Sequence, residues 1–135
     1  LQRPSIANCI SREADINVLD APSAYLEVKK RNRGGQLLTN YSNKKWETTI
    51  VNEQEIFLIN TVSDDVMVFS GKSGDYGNAS QVMSISKGMN SFLSEMGITL
   101  RKDEDTKRPK VNKKGSQLDK KQKSQDQYYK WKFIS

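Results

Sequence analysis

With no histidine and a single cysteine, Cys9, the chain must do any chemistry with carboxylates, hydroxyls, amides and cations. The commonest general base and the commonest metal ligand are both missing. One cysteine excludes an internal disulfide, a cysteine-held iron–sulfur cluster and a zinc ribbon, and fits a reducing compartment. The best-placed carboxylate is Asp20, delivered to the end of a strand by the apolar run "INVLD" (16–20). A nucleotide hydrolase would follow such an aspartate with a glutamate, to orient or deprotonate the attacking water; the next residue here is Ala21, which has no side-chain oxygen. Glu53, just after "TTIVN" (48–52), is the nearest remaining carboxylate and reads as a strand-end residue rather than a displaced base. "GKS" (71–73) has the letters of a phosphate-cradling loop, but the glycine required five places before the second glycine is Val66, and no helix behind the loop could hold an anion. We expect a turn there.

The cations are unevenly distributed. Residues 1–100 carry 10 basic and 11 acidic side chains, whereas residues 101–135 carry 12 basic and 5 acidic, so all of the net charge of +6 comes from the last quarter. A segment of net +7 is either a solvated tail or a phosphate-contacting surface with salt-dependent affinity for RNA. Tyr128, Tyr129 and Trp131, beside Lys130 and Lys132, add groups on which unpaired bases could stack.

The elements that must position these groups follow from pattern. Residues 1–14 suit a helix with Ile6, Cys9 and Ile10 on one face. Residues 16–20, 48–52 and "VMVF" (66–69) are short apolar runs suited to strands, although Asn17 interrupts the first. A stretch with Ile56, Ile59 and Val62 at helical spacing separates the second and third, and the stretch between the first two carries the unfavourable pair Gly34–Gly35. Strand–helix–strand–helix–strand predicts an α/β fold whose parallel strands are joined by crossover helices. Residues 70–80 read as a loop. "GMNSFLSEMG" (88–97) predicts a helix with a core stripe of Met89, Phe92, Leu93 and Met96, closed by Gly97. Residues 98–112 predict two extended arms about a polar turn, and Ser116 the cap of a further helix. Counting Gly but not Tyr, 50 of 135 residues are apolar, below the usual 45–50% or so, which predicts a thin core. No apolar run approaches the roughly 20 residues that span a bilayer, and no signal-peptide pattern opens the chain. No membrane partner and a cytoplasmic location are expected.

In register, "LQRPSIANCISREADINVLDAPSAYL" resembles the stretch of an ABC-type ATPase that follows its signature loop, with Asp20 at the Walker B aspartate and "SAYL" at the D-loop. "IVNEQEIFLINTVSDDVMVFSG" resembles the switch-loop strand, its helix and the next strand. "GMNSFLSEMGITLRKDEDTKRPKVNKKGSQLDKKQKSQDQYY" resembles the C-terminal region of ABC subfamily E, the RNase L inhibitors, soluble twin ATPases of ribosome recycling. The register runs without a gap from Leu1 to about Tyr129.

The resemblance implies a partial ABC-type nucleotide-binding domain over 1–97, with a basic hinge-like segment over 98–135. It implies ATP and Mg²⁺ as ligands: Asp20 holding the metal through water, and Ser23, Ala24, Tyr25 and Leu26 forming the dimer-facing D-loop. It makes Arg101, Lys102, Arg108, Lys110, Asn112 and Lys113 hinge candidates for contact with the ribosome or ribosomal RNA. The departures are specific. Ala21 stands at the catalytic glutamate and Gln54 at the switch histidine, so no catalytic residue is intact. Lys102 replaces an expected arginine and Leu100 an expected aromatic residue. The signature loop, Walker A loop, Q-loop, first ATPase half and iron–sulfur domain have no counterpart in these residues. The expectation is a truncated, degenerate ATPase segment, inactive alone, whose missing parts could come from another chain. The alternatives are a non-enzymatic RNA or ribosome binder working through the basic end, and a decaying split-gene product.

Overall fold

The computed structural model describes residues 7–9, 11–24 and 48–130. The chain divides into two compact units, 1–62 and 63–135. The boundary expected after residue 97 therefore lies inside the second unit. Of the helix expected over 1–14, residues 7–9 and 11 are helical. The Gly34–Gly35 pair lies outside the described residues.

In the first unit, β1 (Ile16–Asp20) pairs in parallel with β2 (Thr48–Asn52), in the register Val18↔Ile50 and Asp20↔Asn52. The expected parallel pairing is present. β1 alternates instead of being wholly buried: Asn17 and Leu19 point inward, while Ile16 and Val18 remain 56% and 64% exposed. Asn17 thus occupies a covered position, and its polar group is engaged there. α1 (Ile56–Val62) follows, begun by the Glu55 carboxylate, which accepts from the N–H groups of Phe57 (3.2 Å) and Leu58 (2.7 Å). Those are two of the amides that a helix start leaves without partners. Leu58 is the buried apolar residue of this helix, with Ile56, Ile59 and Val62 half-buried around it.

The second unit departs from the expected third parallel strand. The run 66–69 is split between two antiparallel pairs. β3 (Asp65–Val66) pairs with β6 (Met83–Ser84), and β4 (Phe69–Lys72) pairs with β5 (Tyr76–Ala79). The reason is local: positive φ at Gly71 (147°) and Gly74 (76°) lets the chain reverse at once, so residues 70–80 form a hairpin instead of an open loop. The "GKS" letters fall on a strand end and its turn.

α2 (Ile85–Met96) forms as its periodicity requires, with Ser84 as N-cap and Gly97 as left-handed C-cap at φ 65°. Ile98 N–H returns to Leu93 O at 3.0 Å, completing the closure. Met89 and Leu93 are buried, Phe92 is half-buried and Met96 is 55% exposed, so the stripe fades at its end. Beyond it, β7 (Leu100–Lys102) is the centre of a three-stranded sheet, antiparallel to β8 (Pro109–Val111) and parallel to β9 (Tyr129–Lys130). α3 (Gln117–Ser124), capped by Ser116, connects β8 to β9. The two arms expected over 98–112 are β7 and β8. Asn90 ties α2 to this sheet, its Oδ1 accepting from Tyr128 N (2.8 Å) and Tyr129 N (3.3 Å).

Gly88 is buried where α2 meets β3, and a Cβ there would run into Val66 Cγ2. Val66 is β-branched and cannot easily swing aside. Gly88→Ala should therefore destabilise: overpacking costs about 1–3 kcal/mol, against the ~1 kcal/mol that alanine gains over glycine in a helix. Val66→Ala should rescue it. Urea unfolding followed by circular dichroism would measure both, and a double variant no better than the sum of the singles would contradict the contact.

Candidate functional site

The loop after β1 and the loop after β2 are built as one piece. Ala21 N–H extends the ladder to Asn52 O at 2.8 Å, and Ala24 N–H turns back to Ala21 O at 3.0 Å. Ala21 itself has φ 43°, in the left-handed region that costs a residue with a Cβ roughly 1–2 kcal/mol. Across the loops, the Glu53 carboxylate accepts the Ser23 hydroxyl at Oε1 (2.7 Å) and the Ser23 N–H at Oε2 (3.0 Å). Oε1 also accepts from the N–H groups of Gln54 (2.9 Å) and Glu55 (3.2 Å). Ser23 is buried at 5% exposure. Burial pushes the Glu53 carboxyl up, but the Ser23 hydroxyl and the three amides outweigh it and hold the group below its ordinary 4.5.

Glu53 is thus a clasp between two loops. The sequence predicts only a strand-end residue here; the signal for the clasp is a Ser and a Glu just past the ends of two adjacent parallel strands. Its bonding leaves it poorly suited to serve as a base, since a carboxylate held below its usual range has little affinity for a proton. Asp20 lies at the end of β1 with Oδ1 accepting from Asn52 Nδ2 at 2.7 Å. It is exposed. No group of three metal-binding side chains occurs among the described residues, and the "GKS" letters lie on the β4–β5 hairpin. Ala24 closes the turn beside Ser23, Gln54 is exposed with its amide on Glu53, and Tyr25 and Leu26 lie outside the described residues.

The hinge candidates have a different fate. Thr99, fully buried, donates its hydroxyl to Asp119 Oδ1 (2.6 Å) and accepts from Asn112 Nδ2 (3.0 Å). Asn112 Nδ2 also donates to Gln122 Oε1 (2.6 Å), and Gln122 Nε2 donates to the carbonyls of Leu100 (3.0 Å) and Gln127 (2.9 Å). Asp119 Oδ2 accepts from Gly115 N–H (2.8 Å) and pairs with Lys123 (3.1 Å). The Thr99 hydroxyl and the Gly115 amide hold Asp119 down to about 2, against the contrary pull of burial. Asn112 is therefore an interior residue, buried at 7% exposure.

Arg101 donates from Nε to Asn112 Oδ1 (3.0 Å) and lies 4.0 Å from Asp103, while Lys110 pairs with Asp103 at 3.0 Å. Asp103 also accepts from Thr106 N–H (2.9 Å) and hydroxyl (3.1 Å). The Thr106 amide, then the Lys110 ammonium, hold its carboxyl far below the usual carboxylate range. Lys102 and Arg108 are half-buried and engaged, and Lys113 is exposed. Tyr129 is half-buried with a buried hydroxyl that has no hydrogen-bond partner among the described residues, and burial raises its pKa well above the ordinary value, so it packs inward instead of offering a free stacking face. Tyr128 is half-buried, and Trp131 and Lys132 lie outside the described residues.

No family model matches the chain. It is 43% identical over 129 residues, 96% of its length, to an uncharacterised ABC transporter ATP-binding protein of Methanocaldococcus jannaschii. Among solved structures it resembles an archaeal ribosome recycling factor, aABCE1, in complex with the archaeal ribosomal stalk protein aP1. That match has a TM-score of 0.87 at 44% identity and covers 95% of this chain and 25% of the other. It also resembles a chain of ribosome-bound archaeal Pelota and ABCE1, with a TM-score of 0.92 at 42% identity over 97% of this chain and 22% of the other. The fold is that of an ABC-type ATPase domain in part. The chain belongs, as a partial segment, to ABC subfamily E; it spans about a fifth of the length of the curated relatives it matches.

Three outcomes are expected. Glu53→Gln should cost about 1–3 kcal/mol at neutral pH, since it removes charge-assisted bonds to the Ser23 hydroxyl and to amides. Glu53 has a folded pKa below 4.5, so its contribution is full above 4.5 and is lost as pH falls through the folded value. The gap between the two proteins in chemical unfolding should close in acid; a gap independent of pH would contradict the clasp. Thr99→Val should cost about 1–3 kcal/mol by leaving buried Asn112 without one of its partners. Asp119 contributes stability above its ordinary 3.8 that is lost between there and about 2, so Asp119→Asn should flatten acid unfolding in that range.

Proposed function

We propose that this chain is a segment of a ribosome-recycling ABC-type ATPase that hydrolyses no ATP by itself and acts in translation by associating with the ribosome. The observation that carries the first half is the pairing of Ala21, without an oxygen at the glutamate position, with a Glu53 carboxylate already occupied by Ser23 and two loop amides. In phosphoryl transfer the protein's work is positioning nucleotide, metal and water. Of those parts, the described residues offer Asp20 as one metal-side carboxylate and Gln54, an uncharged hydrogen-bonding group at the switch position. ATP and Mg²⁺ are the family's ligands, and bound Mg²⁺ would supply charge neutralisation at the phosphates. A phosphate cradle for them would have to come from outside these residues, and a chain that supplies it is a partner we propose beside the ribosome or ribosomal RNA.

The second half is supported by the likeness to ribosome-associated subfamily E structures and by the charge of residues 101–135. The buried network around Thr99 favours a second reading, a non-enzymatic RNA or ribosome binder, because it gives the basic segment a defined fold within its own unit. No helix among the described residues is long and apolar enough to cross a membrane.

The purified chain should release no phosphate from ATP above a heat-treated control, and should co-sediment with ribosomes at low salt whether or not ATP is present. Phosphate release abolished by Asp20→Asn would overturn the catalytic half; absence of co-sedimentation at low salt would overturn the ribosome half.

A further inference from the structure

The β4–β5 hairpin has an outer side that nothing uses. Its sheet has two strands, and every residue of both is exposed, Phe69 at 74% and Tyr76 at 59%. Ser80 N–H donates to Val68 O at 2.8 Å, which sets the phase of the ladder. Alternate residues of an antiparallel strand turn their backbone groups to opposite sides. In the register Phe69↔Ala79, Ser70↔Asn78, Gly71↔Gly77 and Lys72↔Tyr76, it is therefore Tyr76 and Asn78 that face β4. The N–H and C=O groups of Gly77 and Ala79 point away, and make no hydrogen bond to another element among the described residues. Open edges are usually blunted by a lysine or a proline. β5 has neither: it reads Tyr76, Gly77, Asn78, Ala79, uncharged, with the smallest side chains at the two outward positions.

Which strand suits this edge is decided by the edge itself. When β5 is laid antiparallel on a second copy, about a twofold axis through Asn78, Gly77 of each chain stands opposite Ala79 of the other. Every outward N–H then meets an outward C=O. Asn78 stands opposite Asn78 of the second copy, and a carboxamide carries both donors and an acceptor, so it can bond to its own kind across the axis. The combined sheet runs β4, β5, then β5 and β4 of the second copy. On one face Phe69 is followed across the strands by Ala79, then by Gly77 and Gly71 of the second copy. A ring beside residues with little or no side chain is the arrangement by which aromatic groups compensate for glycine in strands. Each chain supplies the ring that lies toward the other's glycines, so the contact is the same in both directions. Charge does not oppose it. Lys72 and Asp75 at the tip pair at 3.2 Å, so residues 69–79 bring no net charge to the axis although the whole chain carries +6. A lone two-stranded ribbon is marginal in water, and pairing gives this one the additional strands that stability requires.

We propose that this chain associates with a second copy of itself through the outer edge of β5, in a register centred on Asn78. A contact of one short strand from each side belongs at the small end of specific interfaces, below about 1,200 Å². The association is accordingly weak and depends on concentration. It is independent of the ribosome reading.

The test uses the full chain. Sedimentation velocity from low micromolar to near-millimolar concentration should show a reversible monomer–dimer equilibrium. Ala79→Pro removes an outward N–H and leaves the ladder bonds of Asn78 and Ser80 in place. The twofold axis makes that loss twice, so dimer affinity should fall about tenfold or more. A second measurement reads the register without relying on that variant. In a Cys9→Ser background, Asn78→Cys should be trapped as a disulfide-linked dimer on oxidation with copper phenanthroline, because facing residues of a pair without hydrogen bonds lie about 4.5 Å apart at Cα. Tyr76→Cys should not be trapped, since its two copies lie four residues apart along the paired strands, about 14 Å. A chain that stays monomeric over the whole range overturns the proposal. So does a dimer that Ala79→Pro leaves unchanged and Asn78→Cys traps no faster than Tyr76→Cys, which would be built on another surface.

Discussion

A carboxylate drawn out of water must have its oxygens filled by donors, and that requirement organises both units of this chain. In the first unit it is met at Glu53, which gathers Ser23 and the amides of Gln54 and Glu55 and thereby fixes the loop after β1 to the loop after β2. In the second it is met at Asp119, which takes the Thr99 hydroxyl, the Gly115 amide and the Lys123 ammonium. Thr99 passes the constraint on to Asn112, and Asn112 to Gln122, whose amide reaches the backbone of β7 and the chain entering β9. With few apolar residues to bury, the C-terminal part is held by shared polar groups around a small apolar set of Met89, Leu93 and Leu100.

The same requirement shapes function. A carboxylate committed to four donors is a good fastener and a poor base, which supports the proposal that Glu53 does not make up for the oxygen absent at Ala21. Gln54 is carried on the clasp by its own amide, so Gln54 and Ser23, the residues that the resemblance sets at the switch position and the start of the D-loop, are parts of one construction. In the basic segment, every carboxylate used internally takes a cation with it. Lys110 and Lys123 pair with carboxylates in this way, and Arg101 lies 4.0 Å from Asp103.

Much of the architecture was legible because its causes are local. The strands at 16–20 and 48–52, the helix over 85–96 with Gly97 at its end, the two arms of 98–112 and the Ser116 cap all follow from periodicity and capping chemistry within a few residues. The run 66–69 misled because an apolar β-branched run specifies a strand but not its partner. Gly71 and Gly74, a few residues on, allowed the chain to double back before it could join a parallel sheet.

By itself the sequence determined the family register, the loss of oxygen at Ala21 and of charge at Gln54, the lack of histidine, and the concentration of positive charge after residue 100, because each is a property of residue identity. What only the tertiary structure decided was which polar groups are already taken. Glu53 lies 30 residues from Ser23 and Asp119 lies 20 from Thr99, and no local pattern connects either pair. Hydrogen bonds act over about 3 Å, so whether a charged group is a fastener inside the fold or a contact on its surface depends on what folding brings to that distance.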